Sequence, residues 1–251
     1  MPETEGRLIT TNHLLAALPE SDFQRLAPSS ERVTLARGQV LFEAGEPIQE
    51  VYFSEGAAIA LVSQMNNGAT SAVDLVGKEG LVGLPLFLGG NSTLNQAVVQ
   101  IPGSALKLDS ESFKRECARQ GELERLLLLY TQVRLTQVAQ TAACRAHHGI
   151  EKRLARWLLW VRDCIEQDEL HLTQKRIAEM LGVRRASITE AAIALQDAGI
   201  IRYTRGRIAI LDAPALEAKA CECYRLVKSE VARLLSQPGE RDRHLDNDRI
   251  P

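Results

Sequence analysis

Residues 172–211, LTQKRIAEMLGVRRASITEAAIALQDAGIIRYTRGRIAIL, constrain the fold more than any other stretch of the chain. Thr173 is a helix-capping residue, and Ile177, Met180 and Leu181 follow on one helical face. Gly182 then interrupts, because glycine enters left-handed turns that other residues resist. A second apolar stripe, Ile188, Ala191, Ala192 and Leu195, runs at three-and-four spacing. Two short helices across a tight glycine turn make a helix-turn-helix, whose second helix can enter the DNA major groove. That helix opens on Arg184, Arg185, Ala186 and Ser187, and Gly199 stops it. Two β-rich runs, 200–203 and 207–211, then flank Thr204, Arg205 and Gly206, which reads as a wing with a basic tip. Helix, glycine, helix also occurs in all-α proteins that never touch DNA. The basic entrance to the second helix and the arginines of the hairpin favour a DNA reader.

Upstream, residues 33–108 change character, with short β-runs at 33–35, 40–42, 51–53, 57–63, 71–76, 96–101 and 105–108. Turns fall at Gly38, Gly45, Gly56, Gly68, Gly77 and Gly103, a spacing that predicts a rolled or jelly-roll-like antiparallel sheet. Before it, a helix capped by Asn12 and a second one after Pro19 are expected. Residues 117–146 read as one long helix. Leu126, Leu129 and Val133 form one stripe, with Thr136 and Gln140 beyond, and Leu123, Leu127 and Tyr130 form another. Apolar positions that wrap so much of a helix need two partners, the roll and a second copy of the same helix. We therefore expect a dimer helix carrying Leu126, Leu129, Tyr130 and Val133, with polar Gln137 and Gln140 loosening its far end. Residues 150–161 predict the first helix of the reader, with Arg153 and Arg156 toward solvent. Asp212, Ala213 and Pro214 start a helix through Leu226 to Leu235, and residues 236–251 have little to bury.

The pieces IEKRLARWLLW, the reader stretch itself and ACECY resemble the DNA-binding half of Crp/Fnr-family transcriptional regulators. The opening ARGQVLFEAGEPIQEVYFSEGAAIALV resembles that family's cyclic-nucleotide-binding β-roll. The resemblance implies an α+β chain in four parts: a roll over 12–116, a dimerisation helix over 117–146, a winged helix-turn-helix over 147–213, and a terminal helix and tail over 214–251. It also implies a homodimer on a palindromic operator, with double-stranded DNA and RNA polymerase as partners and a small-molecule effector of unidentified chemistry. By position, Arg185, Ser187, Thr189 and Glu190 fall to base readout, and Lys175, Arg176, Arg184, Arg205 and Arg207 to the DNA backbone. The family often carries glutamate and arginine where Ala186 and Glu190 stand, so its well-known half-site does not transfer. Arg184 stands where a capping serine or threonine is common, and arginine cannot cap.

In the cyclic-AMP-binding regulators a glutamate takes the ribose and an arginine followed by serine or threonine takes the phosphate. Leu84, Leu94 and Asn95 fall at those positions, and no lysine or arginine lies between Lys78 and Lys107. A buried phosphate there would lack a cation, so Gly77, Gly80, Gly83, Gly89 and Gly90 read as turns of the roll. Net charge is only −2, but it is divided. Residues 1–117 hold 8 Lys and Arg against 14 Asp and Glu, and residues 145–212 hold 12 against 9, which puts the basic balance in the reader.

Five scattered cysteines without an export signal argue against a disulfide framework. None precedes Cys117, so an iron–sulfur sensor in the roll lacks ligands, and His13 is the single histidine near the roll for a heme. Cys221 and Cys223 show no partner pair or histidine at zinc-site spacing, and His147 and His148 read as a helix end. Neither a cofactor nor a metal is therefore expected. No nucleophile–base set suggests an enzyme, and no apolar run reaches the roughly 20 residues of a membrane span. The expected location is the cytoplasm. The rival reading is a ligand-binding or protein-interaction module whose helix-turn-helix has lost DNA.

Overall fold

The computed structural model describes residues 9–235. Helices α1 (His13–Ala16) and α2 (Glu20–Leu26) lead into the sheet strands. Asn12 caps α1, its Oδ1 accepting from Leu15 N at 3.1 Å, while its amide donates to Ser54 O and Gly80 O at 2.9 and 2.8 Å. Strands β1 (Ser30–Leu35), β2 (Val40–Phe42), β3 (Glu50–Ser54), β4 (Ala58–Gln64), β5 (Thr70–Val76), β6 (Leu81–Val82), β7 (Gln96–Ile101) and β8 (Gly103–Asp109) form the roll. Two antiparallel four-stranded sheets result, ordered β1-β8-β3-β6 and β2-β7-β4-β5. Phe53, Ile59, Val99 and Leu106 are fully buried in one core with Leu14, Leu15, Phe23 and Leu26 of the leading helices. Burial of one sheet face selects the alternating apolar residues. The two-residue β6 adds a strand that alternation over so short a run does not reveal.

The long helix expected from residue 117 begins at residue 122, and a separate short helix precedes it. Helix α3 (Ser110–Cys117) starts at Asp109, whose Oδ1 accepts from Ser112 N at 2.8 Å. The chain then turns through Gln120 in the left-handed region (φ 54°) before α4 (Glu122–His147). Helix α5 (Ile150–Ile165) follows Gly149 and ends at Glu166, also left-handed. Beyond it come β9 (Glu169–Leu170), α6 (Gln174–Leu181), α7 (Arg185–Asp197), β10 (Ile201–Thr204), β11 (Arg207–Ile210), α8 (Ala213–Lys219) and α9 (Cys223–Leu235). The C-terminal helix is thus broken in two where Ala220 adopts an extended ψ of 163°. The expectation for residues 236–251 lies outside the described residues.

A buried guanidinium crosses between roll and helix. Arg134 of α4 is 6% exposed and donates through Nε to Asp74 Oδ2 at 2.7 Å and through Nη2 to Leu75 O at 2.9 Å. Its Nη1 lies 3.5 Å from Glu79 Oε1, and its guanidinium sits 5.6 Å from the Tyr130 ring centre. Gln137 donates to Asp74 Oδ1 at 3.1 Å. This is why Gln137 is buried rather than part of a loosened helix pairing.

The two halves also meet at Gly77, where Lys78 N donates to Cys164 O of α5 at 3.0 Å. A Cβ on Gly77 would stand 2.3–2.5 Å from Cys164 Cβ, Cα and O. Gly80 is equally confined, by Tyr130. These two glycines begin and end a turn closed by Gly80 N donating to Gly77 O at 3.1 Å, and both also permit close approach, whereas Gly83 and Gly89 hold positive φ. Because backbone atoms cannot rotate away, Gly77→Ala is expected to cost about 1–3 kcal/mol. The check is a lower urea midpoint.

Candidate nucleic-acid interface

Helix α6 begins where Thr173 Oγ1 accepts from Arg176 N at 3.3 Å and ends where Gly182 turns left-handed at φ 64°. Ile177, Ala178, Met180 and Leu181 bury its inner face. Helix α7 packs across it through Ile188, Ala191, Ala192 and Leu195, leaving its opening turn on the outside. Arg184, Arg185, Ala186 and Glu190 are exposed there, and Ser187 and Thr189 are half-buried. Arg184 takes the N-cap position without a side-chain cap, which leaves the first amides and the helix dipole to meet an anion. Thr189 Oγ1 is already engaged, donating to Gln174 Oε1 at 2.8 Å and lying 3.1 Å from Arg185 O. The first of these ties the two helices of the motif together, so its hydroxyl is a positioning contact in this conformation.

The wing is a two-residue hairpin. β10 and β11 pair with Thr204 opposite Arg207, and Arg205 and Gly206 turn the chain with φ of 38° and 85°, the geometry that matches strand twist. A third strand, β9, pairs with β11, a role that so short a run does not reveal. Arg205 and Arg207 are exposed at this edge, with Arg207 Nη1 3.6 Å from Glu169 Oε1. Lys175 extends into solvent, 3.9 Å from Glu179.

Three arginines stand elsewhere than expected. Arg176 lies against the roll, its Nη1 3.4 Å from Gln100 Oε1, because α6 packs on β5. Arg153 donates to Leu181 O at 2.7 Å, closing the end of α6. Arg156 is buried, donating to Thr141 Oγ1 of α4 at 3.0 Å beside the Trp160 ring. Helix α5 is covered on more sides than its own periodicity implies, and long arginine stems reach past the apolar layer to carbonyl and hydroxyl groups.

The residues of α4 expected to face a second copy are mostly covered in the single chain. Leu126 and Tyr130 are buried in the core of the roll, Val133 is buried within the chain, and Leu129 is half-buried. What α4 leaves outside is Leu128, 57% exposed, Leu135, 67% exposed, and Val138. With Thr131 between them and exposed Ala142 beyond, these positions alternate three and four residues apart, a coiled-coil seam. Spacing alone could have revealed this seam, but the denser stripes beside it masked it. Near the would-be nucleotide site, Leu84 opens a single 3-10 turn, Leu94 is 86% exposed, and Asn95 Oδ1 accepts from Ser63 Oγ at 2.7 Å.

An antiparallel roll, a long connecting helix and a winged helix-turn-helix define a DNA-binding transcription regulator. The cyclic nucleotide-binding domain family matches residues 32–120 and the Crp-like helix-turn-helix domain family matches residues 152–219. The chain belongs to the Crp/Fnr family of transcription regulators. Similar curated proteins include the global nitrogen regulators of Nostoc sp. and Synechococcus elongatus. The first is 26% identical, covering 70% of this chain and 83% of the relative; the second is 25% identical, covering 83% and 97%. The CRP-like cAMP-activated global transcriptional regulator of Mycobacterium tuberculosis is 23% identical over 79% of this chain and 95% of its own. The structure of FixK2 from Bradyrhizobium japonicum shares the fold at a TM-score of 0.66, with 16% identity over 76% of this chain and 98% of that one. Among the described residues, no helix is long and apolar enough to cross a membrane.

Proposed function

We propose that two copies of this chain pair along α4 and place their α7 helices in successive major grooves of a palindromic operator, roughly 34–36 Å apart. The observation that carries this reading is the exposed seam of Leu128, Leu135 and Val138 on a chain whose α7 opens outward on free arginines. The roll senses, α4 pairs, and the segment from α5 to β11 reads. Arg185 donates to a guanine edge, Ser187 and Glu190 meet neighbouring bases, and Lys175, Arg184, Arg205 and Arg207 hold phosphates. Arg176 joins them only when α6 leaves Gln100. RNA polymerase is the partner such a dimer meets at a promoter. A small-molecule effector would be held in the roll without a cation from residues 79–106, which disfavours the phosphate-anchored mode of a cyclic nucleotide.

The test is binding to random-sequence duplex across a salt series, with selection of preferred sites from the bound pool. Salt-sensitive binding that enriches a two-fold palindrome supports the reading. A monomer that binds no duplex, alone or with candidate effectors, overturns it in favour of a module that has lost DNA. On the selected site Arg185→Ala is expected to lose about 1–3 kcal/mol while sparing random duplex. Lys175→Ala should weaken both equally and reduce the salt slope by about 1. Equal losses for the two variants on both duplexes would remove Arg185 from base readout.

A further inference from the structure

The fold gathers four side chains that the sequence keeps far apart. Cys144 lies in the last turn of α4 and His148 is the residue that caps that helix, its N–H donating to Cys144 O at 3.0 Å. Cys223 opens α9, and Cys221 precedes it by two residues. The three thiol sulfurs and a ring nitrogen of His148 all lie within 4.8 Å of one another. Cys144 Sγ is 3.5 Å from Cys221 Sγ, and Cys223 Sγ is 3.5 Å from His148 Nδ1. The cysteines are buried together as a small cluster of their own, and His148 is partly buried beside them. The pair Cys221 and Cys223 therefore does have a second pair and a histidine, supplied across the fold rather than along the chain.

We propose that Cys144, His148, Cys221 and Cys223 form a zinc site that staples the end of α4 to the start of α9. Four thiolate and imidazole ligands around Zn2+ at about 2.0–2.3 Å set ligand atoms about 3.5–3.8 Å apart in a tetrahedron, close to the Cys144–Cys221 and Cys223–His148 separations of 3.5 Å. A four-iron cluster interposes several metal and sulfide atoms between its ligands and needs a wider opening than 4.8 Å.

The surroundings supply what a metal-bound set requires. His148 presents Nδ1 to the sulfurs, while its Nε2 lies 3.2 Å from Glu222 Oε1. A ring N–H held by a carboxylate fixes the tautomer and makes the other nitrogen the better ligand. Gln140 donates its amide to Cys223 Sγ at 3.1 Å, a bond suited to a thiolate. On binding, Zn2+ enters, three thiol protons leave to solvent and the neutral imidazole gives a lone pair; nothing is oxidised. Four protein ligands close the coordination sphere, so the site is structural. It stands immediately before Gly149, where α4 hands over to α5. Zinc there fixes the C-terminal helix to α4 on one side of that joint.

The experiment uses the full chain, without a histidine tag, purified under reductant. Metal content is measured by mass spectrometry before and after dialysis, and metal-free protein is titrated with Co2+. About one zinc per chain, with the intense d–d bands and thiolate charge transfer of a tetrahedral cobalt site, supports the proposal. C221S/C223S should abolish both signals. Should that variant fail to fold, E222Q still decides, because Glu222 is exposed and its carboxylate pairs with His148; a loss of about 10–100-fold in metal affinity is expected. Folded wild-type protein without bound zinc and with only weak octahedral cobalt bands overturns the proposal. So does a Cys144–Cys221 disulfide in the protein as purified, or iron with acid-labile sulfide. These readouts need no DNA, so they stand or fall separately from the operator reading.

Discussion

Arg134→Met is expected to lower the unfolding free energy by about 3–5 kcal/mol at neutral pH, the usual cost of removing one partner from a buried charge set. Methionine fills much of the volume but leaves buried Asp74 and partly buried Glu79 without the cation that lies between them. Burial pushes both carboxyl groups up from their ordinary range, and Arg134 is the main influence pulling them back. For an acid whose folded pKa is raised, the stability it contributes is full below the unfolded value and is lost as pH rises through the folded one. Deleting Arg134 moves both folded values further up. The variant's deficit should therefore be small at about pH 3 or below, where both groups are largely protonated whether the chain is folded or unfolded, and larger at neutral pH, since both folded values are raised. Urea unfolding at the two pH values checks this. Adding Asp74→Asn to Arg134→Met should recover part of the loss, because one fewer buried charge is left unpaired. A deficit that does not change with pH would mean that packing, not charge, is what Arg134 supplies.

Local chemistry made the reader visible. Thr173, Gly182, Gly199 and the Arg205–Gly206 turn each act on their own neighbours, and the structure uses each at its expected place. Turn glycines of the roll, such as Gly38, Gly45 and Gly68, are legible for the same reason, since each holds φ near 80°. What failed was anything decided across the fold. Arg153 and Arg156 have helical positions that point outward from α5 alone, but α6 and α4 cover that face and offer acceptors. Gly77 and Gly80 do bracket a turn, Gly80 N donating to Gly77 O, but that they must also let Cys164 and Tyr130 come close is not legible along the chain. Cys144 and His148 are more than seventy residues from Cys221, and no spacing rule along the chain joins them. Helix α4 is the mixed case: it is apolar on so many sides that periodicity put the pairing face at Leu126, Leu129, Tyr130 and Val133, whereas Leu126 and Tyr130 lie in the core of the roll and Leu128 and Leu135 stand outside.

That assignment carries the second large prediction. Leu135→Glu is expected to turn a dimer into a monomer and to lower affinity for a two-fold operator by about 10²–10⁴-fold, the gain that linking two half-site contacts provides. Leu135 sits mid-seam, with Leu128 seven residues before it and Val138 three after, all largely exposed in the single chain. A glutamate at an a or d position of a coiled coil buries a charge opposite its own copy, a like-charge pairing with no compensating partner. The fold of each chain should survive, since Leu135 takes no part in either core. Leu126→Ala makes the contrast. Leu126 lies in the core of the roll, so its truncation should cost about 2–5 kcal/mol of stability and leave the association constant nearly unchanged. Sedimentation of the two variants, together with urea unfolding, separates the faces. Dissociation by Leu126→Ala but not by Leu135→Glu would move the dimer seam back to the buried stripe and require the roll to open on pairing.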